Sequence, residues 1–174
     1  MEVKNIKTIF KKYYTLEEIE IEIEHDGKSF TRERLNKHSA VAAVVYDTKK
    51  EKFLFVEQFR AGCLDNLTEI VAGTLKDGED PTECIIREIE EEIGYKVDYA
   101  QILHENFYMS PGYTNEKMTI FYCEVSEKIS NGGGLEEENE NINIIEMTEK
   151  EMYKKLQDGY FKDSKTIVAL QSNF

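Results

Sequence analysis

The hydrophobic positions of this chain follow two rhythms. From Glu18 to His25 the sequence EIEIEIEH sets Ile19, Ile21 and Ile23 in strict alternation with glutamates, the period-two mark of a half-buried strand. Asp26-Gly27 predicts a tight hairpin into SFTRERL, so residues 1–36 read as a strand-rich opening segment. Such a segment is expected either to lie beside the main domain or, since an edge strand this regular invites pairing, to pair with a second protomer. The run AVAAVVY, Ala40 to Tyr46, predicts a buried strand, and KFLFVEQF, Lys52 to Phe59, the next one beyond a polar hairpin connection. Lys96 to Phe107 reads as extended, Ser110-Pro111-Gly112 as a turn, and Lys117 to Val125 and Ile142 to Met147 as further strands.

The second rhythm is helical. Asp80 is placed to cap a helix, Pro81 suits its first turn, Glu83 completes a capping-box pattern, and Gly94 suits its stop. At about 100° per residue, Ile85, Ile86, Ile89 and Ile93 share an arc that should face a core, and Glu88, Glu91 and Glu92 share a neighbouring one. Thr148 with Glu151 predicts a capped helix through about Gln157, and Asp163 or Ser164 the start of a terminal one. Strands interleaved with a central and a C-terminal helical region predict a mixed α/β domain.

Like charges at those helical spacings repel, so the arc of three glutamates needs a reason. It fits a cage for a hard divalent cation, Mg²⁺ or Mn²⁺, which takes oxygen ligands. The alternative, and the usual case for a charge run, is a solvated face in an acidic protein. The chain is acidic: 35 Asp and Glu against 22 Lys and Arg give a formal charge of −13 over 174 residues. That charge argues against nucleic acid and anionic membrane as direct partners. An anionic substrate would then need cations between itself and the protein. A hydrophobic share of 40% is enough for the core of one domain. Cys63, Cys84 and Cys123 form no close pair and read as reduced thiols of a cytoplasmic protein, with no signal peptide or apolar span expected. NGGGLEEENEN, from Asn131 to Asn141, is too long for a simple hairpin and is a candidate functional loop, expected to be mobile.

Gly73, five residues, Glu79, seven residues, Arg87-Glu88-Ile89, one residue, Glu91-Glu92, one residue, Gly94: this pattern resembles the Nudix box. Tyr95 is the one departure, where the family usually has an aliphatic residue. The resemblance implies an α/β/α Nudix sandwich with a mixed sheet at residues 37–174, preceded by the β-rich segment 1–36, which would serve dimerisation. It implies hydrolysis of a pyrophosphate assisted by Mg²⁺, for which Mn²⁺ could substitute. By resemblance Glu88 and Glu92 are direct metal ligands, Glu91 a further ligand or water holder, and the Ala72 carbonyl another ligand. Arg87 with Glu79 would orient the acids. The general base would come either from the box, as Glu91, or from the later loop, as Glu138, with Glu140 a further metal-binding acid.

Tyr108 to Gly112, YMSPG, resembles the Ser-Pro-Gly mark of ADP-ribose and related sugar-nucleotide pyrophosphatases. This implies substrate contacts at Ser110, Pro111, Gly112 and Glu116. EQFR, Glu57 to Arg60, resembles a strand motif whose arginine faces the substrate phosphates; with four arginines in the chain, Arg60 fits that role or a surface salt bridge. Tyr13 and Tyr14 resemble an aromatic pair near the adenine of a neighbouring subunit's site, and ordinary strand packing is the alternative. The implied partner is a small nucleoside diphosphate sugar, bound by a homodimer. ADP-ribose, giving AMP and ribose 5-phosphate, fits first; GDP-mannose or another sugar nucleotide is the alternative. A non-catalytic nucleotide-sensing module is the alternative of another class.

Overall fold

The computed structural model describes residues 1–134 and 141–174, in two compact units: Met1–Ser39 with Tyr108–Lys117, and Ala40–Phe107 with Met118–Phe174. In the first unit, β1 (Glu2–Lys11), β2 (Thr15–Ile23) and β3 (Lys28–Asn36) form an antiparallel sheet in that order. The β2–β3 hairpin turns at Gly27 (φ 68°), whose N–H donates to the Ile23 carbonyl. The alternation in β2 does not sort into a buried and a bare face. Ile19, Ile21 and Ile23 are half-buried, but so are Glu18 and Glu22. The buried residue is Glu17, because Arg34 and Asn36 across the hairpin each donate to its carboxylate at 2.8 Å. The excursion after Tyr108 is tied to β3 by Leu35 N–H to the Tyr113 carbonyl (2.8 Å) and Lys37 N–H to Asn115 Oδ1 (2.8 Å).

The second unit carries β4 (Ala40–Asp47), β5 (Lys52–Arg60), β6 (Asp65–Glu69), β7 (Val71–Thr74), α1 (Pro81–Glu92), β8 (Tyr95–Tyr108), β9 (Lys117–Lys128), β10 (Asn143–Met147), α2 (Glu149–Gln157) and α3 (Ser164–Leu170). Its mixed sheet runs β10-β5-β4-β9-β8, with β6 on β5 and β7 on β4. β4 pairs parallel to β9 on one side, and antiparallel to β7 and β5 on the other. Every residue of β4 except Tyr46 is buried, as its unbroken apolar run requires of a strand covered on both faces. Helices flank the sheet. Ile85 and Ile89 of α1, with Ile93 at its C-cap, are fully buried in one core with Val41, Val71 and Phe121.

Ile86, expected in that core, is only half-buried. Cys84 is buried instead, because Thr74 and the Arg87 guanidinium cover its side of the helix (Sγ to the Thr74 carbonyl 3.7 Å, Arg87 Nη2 to Sγ 3.3 Å). Asp80 caps α1, accepting from Thr82 N–H (2.8 Å) and Glu83 N–H (3.3 Å). Gly94 ends it at φ 76°, and a Cβ there would stand 2.3 Å from the Ser130 carbonyl oxygen. The Thr148–Glu151 capping box forms on α2, and Asp163 caps α3. Among the described residues, no helix is long and apolar enough to cross a membrane.

Candidate active site

The acids of α1 meet β7 at its one glycine. A Cβ on Gly73 would lie 1.9 Å from Glu88 Cδ, so the Glu88 carboxylate occupies the space that any side chain there would fill. Glu92, 2% exposed, reaches the same strand, with Ala72 N–H directed at its Oε2 at 3.4 Å. Arg87 relieves the repulsion among the acids. Its fork holds Glu79 (Nε–Oε1 3.0 Å, Nη2–Oε2 3.3 Å), and Nη1 bridges Glu88 (2.8 Å) and Glu91 (3.0 Å). The bonds from Arg87, then from the Lys76 N–H, draw the Glu79 carboxyl down to about 2, and the Arg87 guanidinium is raised in turn. The Cys84 thiol beside them is pushed up to about 12, first by burial and then by Glu79, and so stays protonated and unsuited to nucleophilic work.

All the donors on this face are oxygens, and Gly73 leaves a cradle around Glu88, so the residues fit a hard divalent cation. Among the described residues, no three acids, histidines or cysteines converge on one point. Arg87 Nη1 accounts for that at Glu88 and Glu91, since it holds both carboxylates itself.

The last turn of an α-helix leaves carbonyls without intrahelical partners. Here the glycine run supplies the donors. Gly133 N–H bonds the Glu92 carbonyl (2.8 Å), Gly134 N–H the Glu91 carbonyl (3.2 Å), and Ile129 N–H the Gly94 carbonyl (2.7 Å). Gly132 packs so closely that a Cβ would stand 2.6 Å from the Glu92 carbonyl oxygen. Gly132–Gly134 therefore hold the helix end, and residues 135–140 of the loop expected to be mobile lie outside the described residues. Ile142 N–H bonds the Gly133 carbonyl (3.3 Å), so both flanks of residues 135–140 are anchored beside Glu91 and Glu92. Glu138 and Glu140 lie outside the described residues.

Arg60, at the end of β5, is held by Glu69 of β6 in a two-point pair, Nε–Oε1 2.9 Å and Nη2–Oε2 2.7 Å. Burial acts most strongly on the guanidinium and works against its charge, yet Glu69 outweighs it and the pKa rises, with Glu92 adding to the pull. Glu69 is 1% exposed; burial again opposes its charge, and Arg60 and Lys165 together hold it below the usual carboxylate range. No sequence pattern points to Lys165 and Asp163 as part of this cluster. The one legible signal is Glu69 itself, a lone charge within the apolar stretch LTEIVAG.

The remaining expected residues belong to the first unit. Tyr13 and Tyr14 sit at the β1–β2 turn, edge-to-face with ring centroids 4.8 Å apart, and Tyr13 is 92% exposed, so they are not packed strand residues. Ser110 closes a turn, its carbonyl accepting from Tyr113 N–H (3.2 Å) and Thr114 N–H (3.1 Å), with Pro111 and Gly112 inside it. Glu116 pairs with Lys37 at 2.6 Å.

A family model described as the NUDIX domain matches residues 36–169. The chain is 34% identical over 146 residues to a methanol dehydrogenase activator of Bacillus methanolicus, covering 84% of this chain and 77% of that protein. It is 32% identical to a GDP-mannose pyrophosphatase of Cronobacter sakazakii (95% of this chain, 90% of that protein). It is 30% identical to an ADP-ribose pyrophosphatase of Haemophilus influenzae (98% and 84%). The crystal structure of an ADP compounds hydrolase shares the fold, with a TM-score of 0.79 at 20% identity over 97% of this chain and 89% of that one.

Proposed function

The chain belongs to the Nudix family as a pyrophosphohydrolase, and from that premise we propose that it hydrolyses ADP-ribose to AMP and ribose 5-phosphate. The observation that carries this reading is the carboxylate set on α1, seated against Gly73 and clamped by Arg87. Glu88, Glu91, Glu92, Glu140 and the Ala72 carbonyl would hold Mg²⁺, with Mn²⁺ as a substitute. When bound, such a cation neutralises charge on phosphoryl oxygens and acidifies a bound water. Glu79 keeps Arg87 oriented, so that the guanidinium can release Glu88 and Glu91 without leaving the site.

Glu138 is the proposed base. Gly134, which precedes its segment, donates to the Glu91 carbonyl at the end of α1, and Ile142, which follows it, donates to the Gly133 carbonyl; these anchors support the assignment. A water oxygen bonds to one phosphorus, its proton passes to Glu138, and the bridging P–O bond breaks to leave two phosphate monoesters. Arg60 is the proposed contact for the substrate phosphates, and the exposed Tyr13–Tyr14 pair the platform for the adenine bound by the partner of a homodimer. The exposed apolar residues of β1, Val3, Ile6, Ile9 and Phe10, support pairing of that strand segment with a second copy. Three free thiols fit a reducing compartment, and we assign the cytoplasm.

A second reading, GDP-mannose hydrolysis, is favoured by the similarity to the Cronobacter protein over 95% of the chain. A Mg²⁺-supplemented substrate panel with product identification tests both. Higher kcat/KM for ADP-ribose, with AMP released, supports the first reading. Preference for GDP-mannose, with GMP released, replaces it. No turnover of any sugar nucleotide leaves a nucleotide-sensing module.

A further inference from the structure

Four charged groups stand in line behind the proposed phosphate contact. Arg60 takes both oxygens of Glu69, and Lys165 Nζ donates to the Glu69 Oε2 that Arg60 Nη2 also holds. Lys165 Nζ is in turn 3.0 Å from Asp163 Oδ2. That oxygen accepts from Thr166 N–H (2.9 Å) and Thr166 Oγ1 (2.7 Å), while Thr166 Oγ1 accepts from Ile70 N–H (3.0 Å). The chain of bonds therefore leaves β6 through the Glu69 carboxylate and returns at the next residue's amide. α3 is locked to the strand residues just before Ala72 and Gly73.

The exposure of these groups is graded. The Glu69 side chain is 1% exposed, Lys165 9%, Asp163 16% and Arg60 39%. Three groups are withdrawn from solvent and the guanidinium alone is substantially presented to it. A buried carboxylate with one partner can rotate to follow that partner; one held at the same oxygen from two sides cannot. Lys165 also shares the charge of Glu69, so Arg60 is less fully neutralised than in an isolated pair, and Asp163 balances Lys165 in the interior.

We propose that Lys165, braced by Asp163, is a positioning residue that fixes the Glu69 carboxylate and through it holds the Arg60 guanidinium in place for the substrate's phosphates. This rests on the pyrophosphatase reading, which gives Arg60 its role. The experiment compares Lys165→Met, Lys165→Arg, Arg60→Lys and the Arg60→Lys/Lys165→Met double variant, each checked for folding by circular dichroism. KM and kcat are measured for ADP-ribose with Mg²⁺, and ADP affinity by calorimetry.

Lys165→Met raises KM and weakens ADP binding by about tenfold while kcat stays within about threefold, and Lys165→Arg restores most of the loss. The double variant is no worse than Arg60→Lys, since both changes remove one interaction. If Lys165→Met does not fold, Asp163→Asn gives the same readouts with the buried cation retained. Wild-type KM and ADP affinity in a folded Lys165→Met or Asp163→Asn, effects that multiply in the double variant, or no ADP affinity in the wild type overturn the proposal. Absence of turnover with the ADP coupling intact rejects the ADP-ribose reading and leaves the positioning role standing.

Discussion

Gly73→Ala probes the seat of Glu88 with one methyl group. Gly73 is not among the residues with positive φ, so alanine meets no backbone penalty and the effect is steric. The added Cβ would lie 1.9, 2.0 and 2.2 Å from Glu88 Cδ, Oε1 and Cγ. Non-bonded carbons rest at about 3.5–4.0 Å, so the carboxylate must retreat by roughly 1.5–2 Å. It is the far end of a flexible side chain, and the helix need not move. An off-rotamer side chain costs about 0.5–1.5 kcal/mol, and losing the partly exposed Arg87–Glu88 pair at most about 1 kcal/mol. A total of about 1–2 kcal/mol lowers Tm by about 2–8 °C in a protein of this size. Activity responds far more. Loss of a contact that merely orients a metal ligand costs about 10–100-fold, so displacing the ligand itself should cut kcat/KM by at least about 100-fold. Calorimetric melting and steady-state kinetics across a Mg²⁺ titration measure both numbers. A folded Gly73→Ala variant with wild-type kinetics at limiting Mg²⁺ would refute the assignment of Glu88.

Glu92→Gln removes a buried anionic group from the same face, and turnover should fall by several orders of magnitude, corresponding to several kcal/mol of transition-state stabilisation; circular dichroism and initial rates check it. Glu138→Gln should lower kcat strongly with little change in KM or metal affinity, whereas a large loss for Glu91→Gln beside a near-silent Glu138→Gln would move the base to the helix. Arg87 depresses the Glu79 carboxyl from 4.5 to about 2, so this pair contributes stability in full above about pH 4.5 that is lost as pH falls toward about 2. Glu79→Gln should therefore be less stable than the wild type near neutrality, with the gap closing over that acid range; parallel melting curves at pH 2 and pH 6 with an unchanged gap would contradict the pairing.

What could be read from the sequence is what local chemistry determines. The cap at Asp80 and the stop at Gly94 follow from capping chemistry and the arcs of isoleucine and glutamate from helical period, and the structure carries them with the exception of Ile86. The unbroken run Ala40 to Tyr46 reads as a buried strand, and all of it except Tyr46 is buried. Distant pairings were not legible. Glu69 and Lys165 are 96 residues apart, and no local pattern links a lysine in α3 to a glutamate in β6. Gly132, Gly133 and Gly134 suggested freedom, because permissive backbone is their local property; their use as a clamp depends on the open carbonyls of α1. The alternation around Ile19 promised one buried face, yet Arg34 and Asn36 bury Glu17 instead. Cys84 is buried where Ile86 was expected for a similar reason, since the Thr74 carbonyl that helps cover it belongs to a strand outside the helical period.

Metal-assisted attack of water on a pyrophosphate is the centre of this account. Turnover of ADP-ribose in ¹⁸O-labelled water, with and without chelator, addresses it directly by mass spectrometry of the products. The account predicts a single ¹⁸O in one of the two phosphate monoesters, AMP or ribose 5-phosphate, and no products once Mg²⁺ is removed. Unlabelled phosphate products, label on a sugar carbon, or an undiminished rate in chelator would contradict it.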